Sequence, residues 1–403
     1  MAELFIRAGS QDTQLMRRVF GLDGARGAAW RPDRLVVDAH VPAKTGQLAE
    51  IARRSGVPYL VDPQTYYLQD NQHPSDSWAK LSFGDPRARS ADELATASVQ
   101  EALVATCVEY QIDAGATAII PPYVHLERLD DGCIFVQAGL WRRTAAYLLA
   151  HQIELPVVAV VALGWRLLDP VGGRGGLAPI WDALEVLRPT EVAVAVSKVH
   201  LGAKPSERLT DLLMLIEWLS SRYPVVAWQQ GLLGEVCVAA GAIGYETGIA
   251  RREHCDLQSA KATRRAPPKD GPRSAPPIYV PCLGRGIPKN SVKEIRVHRA
   301  LWHRVLCDDP QCCPDGEAVL ADARQHAIVS RARDLAALSQ IQRPSWRWAR
   351  LAGRSREGLD LAGRINAMAD RTPGMAKIDL GALTAIRTVA ELRRQQRRFR
   401  KVA

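Results

Sequence analysis

At 403 residues, 47% of them hydrophobic and 24% charged, the chain is long enough to bury a large core without disulfide staples, and its composition excludes a disordered protein. No apolar run approaches the eighteen or so residues that cross a bilayer, and the start, MAELFIRAGSQDTQ, lacks the pattern of a secretory leader, so a cytoplasmic protein without membrane association is expected. The net charge of +10 is uneven: from Lys261 onward 29 Lys and Arg face 13 Asp and Glu, a balance of +16, which leaves −6 for residues 1–260.

Short β-branched runs recur through the acidic part, at 4–7, 35–38, 59–62, 117–121, 157–163, 192–196, 225–228 and 243–246. Several, such as VVAVVAL and VAVAV, are continuously apolar, as strands covered on both faces by helices must be. Between them stand helical patterns, among them TGQLAEIARRSG and SERLTDLLMLIEWLSSR. Eight strand-helix repeats in about 250 residues predict an α/β fold, a (β/α)8 TIM-like barrel over 1–260, with an open doubly wound sheet as the structural alternative.

Past the barrel, 261–277 (KATRRAPPKDGPRSAPP) is rich in Pro, Lys and Arg and reads as a linker or exposed excursion. A Cys/His-containing subdomain follows over 278–340, then a basic helical region over 341–403. Cys307, Cys312 and Cys313 with His326 offer three thiolates and an imidazole, the ligand types of a structural zinc site; a buried cysteine group capped by the histidine is the plain alternative.

In parallel β/α folds the working groups gather at the carboxyl ends of the strands. That rule selects the carboxylates Asp38, Asp62 and Glu246 as catalytic candidates, although Asp38 and Asp62 would equally serve as helix caps. Gln64, Tyr66, Gln229 and Gln230 join them as groups suited to gripping a planar polar ligand such as a heterocyclic base. His40, His125 and His200 follow strand ends singly and read as structural. The glycine-rich loop at 171–179 fits no phosphate-binding pattern.

The basic back is the electrostatic footprint of a nucleic-acid partner, RNA or DNA, because phosphate neutralisation supplies affinity without sequence preference. Arg347, in PSWRWAR, and Arg393, Arg394, Arg397 and Arg398, in RRQQRRFRK, interleave guanidinium groups with aromatic rings that stack on unpaired bases. A basic helix whose tryptophans anchor it to the barrel is the alternative.

The order of these parts resembles the tRNA-guanine transglycosylase superfamily, including its DNA-modifying relatives. The segment VDPQTYYLQ is similar to that family's early acid-bearing strand end, and AAGAIGYETGIARR to its late nucleophile-bearing strand. The resemblance implies Glu246 as nucleophile on a ribose C1′, Asp62 as general acid/base, Arg251 or Arg252 at phosphate, and zinc at the cysteine cluster. It thus implies a pentosyl-transferring, base-exchanging enzyme. A non-catalytic nucleic-acid-binding scaffold and a barrel hydrolase or lyase of a small metabolite are the competing expectations.

Overall fold

A computed structural model describes residues 1–22, 24, 27–170, 173, 175–267 and 275–399. Seven of the eight expected runs are strands: β1 (Glu3–Ala8), β2 (Arg34–Asp38), β3 (Tyr59–Asp62), β4 (Val158–Gly164), β5 (Glu191–Ser197), β6 (Val225–Ala227) and β7 (Gly244–Gly248). They form one all-parallel sheet in the order β3-β2-β1-β7-β6-β5-β4. Every residue of β3, β4, β6 and β7 is buried, which is why β4 and β6 are apolar throughout rather than alternating, while β3 and β7 bury the acids Asp62 and Glu246.

The eight-stranded closed barrel is not formed: the sheet is an open one of seven strands. The run at 117–121 supplies only an isolated bridge, Ile119 to Val157, and a second bridge joins Leu126 to Leu163 on β4. On the other side its contact with β3 is made by Thr117, whose N–H reaches Tyr59 O at 2.8 Å. The physical reason lies in the local chemistry. Pro121 and Pro122 have no N–H to donate. The Ile120 N–H and C=O are both taken by the Gln111 side chain (2.8 and 2.9 Å), while Thr65, Gln137 and Gln69 accept from the N–H groups of Tyr123, Val124 and His125. Side-chain amides and a hydroxyl thus satisfy a buried backbone that a strand would satisfy by laddering. The doubly wound alternative fails as well, since β7 returns to pair with β1 and the order never reverses at a single crevice.

Helices fill the connections. Gln47–Ser55 ends at Gly56, whose left-handed φ of 66° lets its N–H bond back to Ala52 and Arg53 and turns the chain into β3. After β7 come the helix Leu257–Thr263 and a two-stranded antiparallel hairpin, β8 (Ile278–Val280) and β9 (Arg285–Ile287). With the short helices Lys289–Arg296, Arg299–Val305 and Ala318–Ala321, this hairpin packs a small second core around Ile278, Val292, Val305 and Ile365. Three long helices, Ala323–Ser339, Pro344–Ala369 and Gly381–Phe399, then return to the sheet, burying Ile328, Leu335, Trp348, Leu351, Ala385 and Val389 in the main core. The excursion expected at 261–277 begins inside a helix, and its residues 268–274, like 171, 172 and 174 of the glycine-rich loop, lie outside the described residues.

Candidate active site at the strand ends

Parallel register brings the carboxyl ends of β1, β2, β3 and β7 side by side, with Asp38 directly opposite Asp62. All three predicted carboxylates converge there on Arg7 of β1. Its Nη1 lies 2.6 Å from Asp38 Oδ1, Nη2 lies 2.8 Å from Asp62 Oδ2, and Nε and Nη2 lie 3.0 and 3.3 Å from the two oxygens of Glu246. Sharing Nη2 holds the nearest oxygens of Asp62 and Glu246 no more than about 6 Å apart, on either side of one guanidinium. Sequence reasoning passed over Arg7. The signal was a guanidinium at the end of an otherwise apolar strand, LFIRA, where only buried counter-charges make it tolerable.

The three acids differ in what they face. Asp62 and Glu246 are fully buried behind Arg7; Glu246 also accepts the Gln229 N–H at 2.9 Å, and Asp62 the Tyr123 hydroxyl at 2.9 Å. Asp38 lines a cavity of about 530 Å³ together with Arg7, His40, Arg251, Arg252 and Arg324. Arg252, on the cavity side, donates to Asp38 Oδ2 at 2.6 Å, and Gln64 Nε2 to Oδ1 at 3.0 Å.

These environments split the acids electrostatically. Burial opposes charge on Asp38, yet the Arg252 and Arg7 guanidinium groups outweigh it and hold the carboxyl well below its usual range. Burial raises Glu246, and Arg7 only partly offsets this. Arg7 is itself held in its charged form, against burial, by Glu246, Asp62 and Asp38. Burial pushes His40 down to about 4, leaving a neutral imidazole beside the cavity whose Nδ1 has no hydrogen-bond partner among the described residues.

Backbone strain marks the same rim. Among the described residues seven non-glycines have positive φ, and five of them follow strand ends: Gln64 after β3, Lys198 after β5, Gln229 after β6, and Ala250 and Arg252 after β7. Left-handed backbone at non-glycine residues is uncommon and concentrates at functional sites. The remaining predicted ligand groups are not on the cavity wall. Tyr66 is buried against Tyr67 and Tyr123, with ring centroids at 4.4 and 5.6 Å, and Gln230 Nε2 bonds Val196 O at 2.8 Å. Trp228, which the sequence reading did not single out, places its ring 5.4 Å from the Arg7 guanidinium carbon.

The basic back is partly spent inside the molecule. Arg331 pairs with Glu253, Arg354 with Glu235, Arg393 with Glu217 and Arg265 with Asp70, each joining the basic part to the acidic front. Arg347 donates to Ile341 O, Trp348 is buried in the main core and Trp346 is exposed. Arg394 is half-buried; the side chains of Arg397 and Arg398 lie outside the described residues.

Cys307, Cys312, Cys313 and His326 come together with their ligand atoms all within 4.8 Å of one another. The Cys312 and Cys313 sulfurs are 3.8 Å apart and lie 3.4 and 3.6 Å from His326 Nδ1. A tetrahedral zinc ion with Zn–S near 2.3 Å and Zn–N near 2.05 Å requires edges of about 3.8 and about 3.6 Å, which the Cys312, Cys313 and His326 atoms match, and Cys307 Sγ lies within 4.8 Å of all three as a fourth ligand of the right type. The other imidazole nitrogen, Nε2, is 2.9 Å from Tyr279 O, a contact that presents Nδ1 to the sulfurs.

No described helix is long and apolar enough to cross a membrane. Residues 4–123 match the family model described as a Glycosyl transferase 4-like domain, a stretch that carries Arg7, Asp38, Asp62, Gln64 and Tyr123 but not Glu246. No curated protein matches the chain. The match overturns the resemblance to tRNA-guanine transglycosylases, since it is to a different family. It supports a transferase that moves a glycosyl group, without specifying a pentosyl group or a nucleic acid.

Proposed function

We propose that the chain is an enzyme that transfers a glycosyl group in the cavity above Arg7 and Asp38. The observation that carries this reading is Asp38 itself: a carboxylate held ionised by two guanidinium groups where the buried cluster opens to the cavity. Such an anion suits the positive charge that develops at an anomeric carbon, by electrostatic stabilisation or by direct attack. For attack, Arg252 has to release Oδ2, and its side chain, 59% exposed, has room to do so. Glu246, sequestered behind Arg7, holds the guanidinium in place instead of meeting the sugar. His40, kept neutral by burial with its pKa at about 4, offers the cavity a hydrogen-bonding nitrogen, and solvent in the cavity takes the proton of an incoming hydroxyl or ring N–H.

The finer proposal is that the sugar belongs to a nucleic acid and that one base replaces another at its C1′. In atoms, a carboxylate oxygen bonds C1′ as the glycosidic bond breaks toward the departing base, which takes up a proton from solvent in the cavity. The incoming base then gives up a proton and displaces the carboxylate. Support comes from Arg251, Arg252, Lys44 and Arg324 around the cavity and from the positive balance beyond Lys261. The test is incubation of wild type and Asp38→Asn with labelled tRNA, labelled DNA and labelled nucleotide-sugars. Transfer or a covalent adduct that Asp38→Asn abolishes is expected; equal activity in the variant overturns the role of Asp38, and transfer from nucleotide-sugars alone overturns the base-exchange proposal.

We propose also that Cys307, Cys312, Cys313 and His326 bind a structural zinc ion, on the strength of the tetrahedral edge lengths. Zinc there would cross-link the small second core, which contains Cys307 and Cys313.

A further inference from the structure

The Cys/His cluster and the acid cluster are joined by a short chain of buried contacts, all passing through one helix, Ala323–Ser339. That helix supplies His326 to the cysteines and, five residues on, Arg331, which is 1% exposed. The Arg331 guanidinium lies over the Tyr279 ring at 4.3 Å, and Tyr279 O is the atom that holds His326 Nε2. From there Arg331 reaches the rim: Nη1 donates to Gly231 O at 2.9 Å and Nη2 to Glu253 Oε1 at 2.6 Å. Glu253 in turn accepts the Leu232 N–H on its carbonyl (2.7 Å) and the Gly286 N–H of β9 on Oε2 (2.9 Å).

Residues 229–232 are the turn that faces Glu246. Gln229 N–H bonds Glu246 Oε2 at 2.9 Å, and Gln230 N–H bonds the Glu246 carbonyl at 3.1 Å. This turn holds Gln229 in the left-handed region, a conformation that persists only where the surroundings enforce it. A second contact runs in parallel: Tyr279 and Ala327 pack on Ala250, another left-handed residue of the rim.

We infer that Arg331 is a positioning residue that clamps the 229–232 turn onto Glu246, and that metal occupancy of the Cys/His cluster sets how firmly it does so. The inference rests on the zinc reading and on the rim being the working site. Metal fixes His326, His326 fixes Tyr279, and Arg331, held between Tyr279 and Glu253, carries that order to the turn that supports Glu246 and through it Arg7. The cluster then acts on the site without touching substrate.

Hydrogen exchange of the full chain, followed peptide by peptide, tests this in the zinc-loaded protein, the chelator-stripped protein, Arg331→Met and Arg331→Lys. Stripping and Arg331→Met should each speed exchange of the 229–232 amides roughly tenfold, with β4 amides unchanged as a control for global unfolding. Stripping Arg331→Met should add nothing further at 229–232, and Arg331→Lys, which keeps the charge on Glu253, should restore part of the protection. Wild-type protection of 229–232 in both variants overturns the role of Arg331. Faster exchange confined to 305–326 on stripping overturns the coupling to metal while leaving the variants to decide Arg331. A chain that binds no zinc overturns the metal half by itself, and the stripping arm, which needs no variant, remains decisive if Arg331→Met fails to fold.

Discussion

Arg7 Nη1 and Asp38 Oδ1, 2.6 Å apart, form the floor of the cavity, and this pair is the outer face of a buried cluster that sets one guanidinium against three carboxylates. Removing Arg7 would leave Asp38, Asp62 and Glu246 facing one another in a nearly water-free interior. Arg7→Met is therefore expected to destabilise the fold by about 3–5 kcal/mol or more, and Arg7→Lys by less, because an ammonium keeps the charge but not the fork. Urea unfolding of the two variants measures this; a loss under about 1 kcal/mol in Arg7→Met would show that the cluster is not a stability element.

Acid should destabilise the protein as soon as pH drops below the ordinary imidazole range. Burial lowers His40 and His200 to about 4 and His125 to about 3. Between the ordinary imidazole value near 6.5 and those folded values, the unfolded chain binds more protons than the folded one, so stability falls as pH drops through that window. At about 1.36 kcal/mol per pH unit the full shift is about 3 kcal/mol at most for His40 and His200 and about 5 kcal/mol at most for His125. His125, packed with Nε2 3.2 Å from Ser197 Oγ, is the most enclosed of the three. His125→Gln should flatten the fall in the urea midpoint between pH 6.5 and 4.5, and an unchanged slope would remove His125 from the account.

Gly231 is fixed by close approach instead of by backbone conformation. A methyl group there would collide with the Thr247 side chain and come 2.9 Å from Glu253 O. Gly231→Ala should cost about 1–3 kcal/mol and draw Gln229 off Glu246. The check is thermal unfolding together with the Gln229 amide resonance, which loses its carboxylate-bonded shift if the turn moves.

Metal removal should loosen the second core and, through His326 and Arg331, the 229–232 turn. Purified protein is expected to hold one zinc per chain, and Cys313→Ser to lose it, since Cys313 is buried and its sulfur lies 3.6 Å from His326 Nδ1. Elemental analysis of both proteins decides the matter, and well-folded wild type without stoichiometric metal rules the zinc centre out.

Asp38, Asp62 and Glu246 could be named from sequence because each ends a β-branched run, and strand ends in parallel sheets share one rim. Arg7 sat in the first of those runs and was passed over, because its role depends on the three acids that surround it. The expected eighth strand failed for a reason of the same kind: Gln111 and Gln137, from the helices on either side of it, and Gln69 satisfy the backbone that a partner strand would have paired. The charge division at residue 261 was legible as a number but not as a surface, since Arg331, Arg354 and Arg393 point into the acidic front.

The sequence by itself determined seven of the eight strands expected of it, their parallel α/β setting and the strand-end position of the three acids, because hydrophobic run length and strand-end position are local properties. Tertiary structure alone decided that the sheet stays open at seven strands, that Arg7 gathers the acids, and that only Asp38 among them reaches the cavity. Register and burial are set by residues tens to hundreds of positions apart, and the competition of side-chain amides for backbone by helices packed beside the run, so no local pattern carries that information.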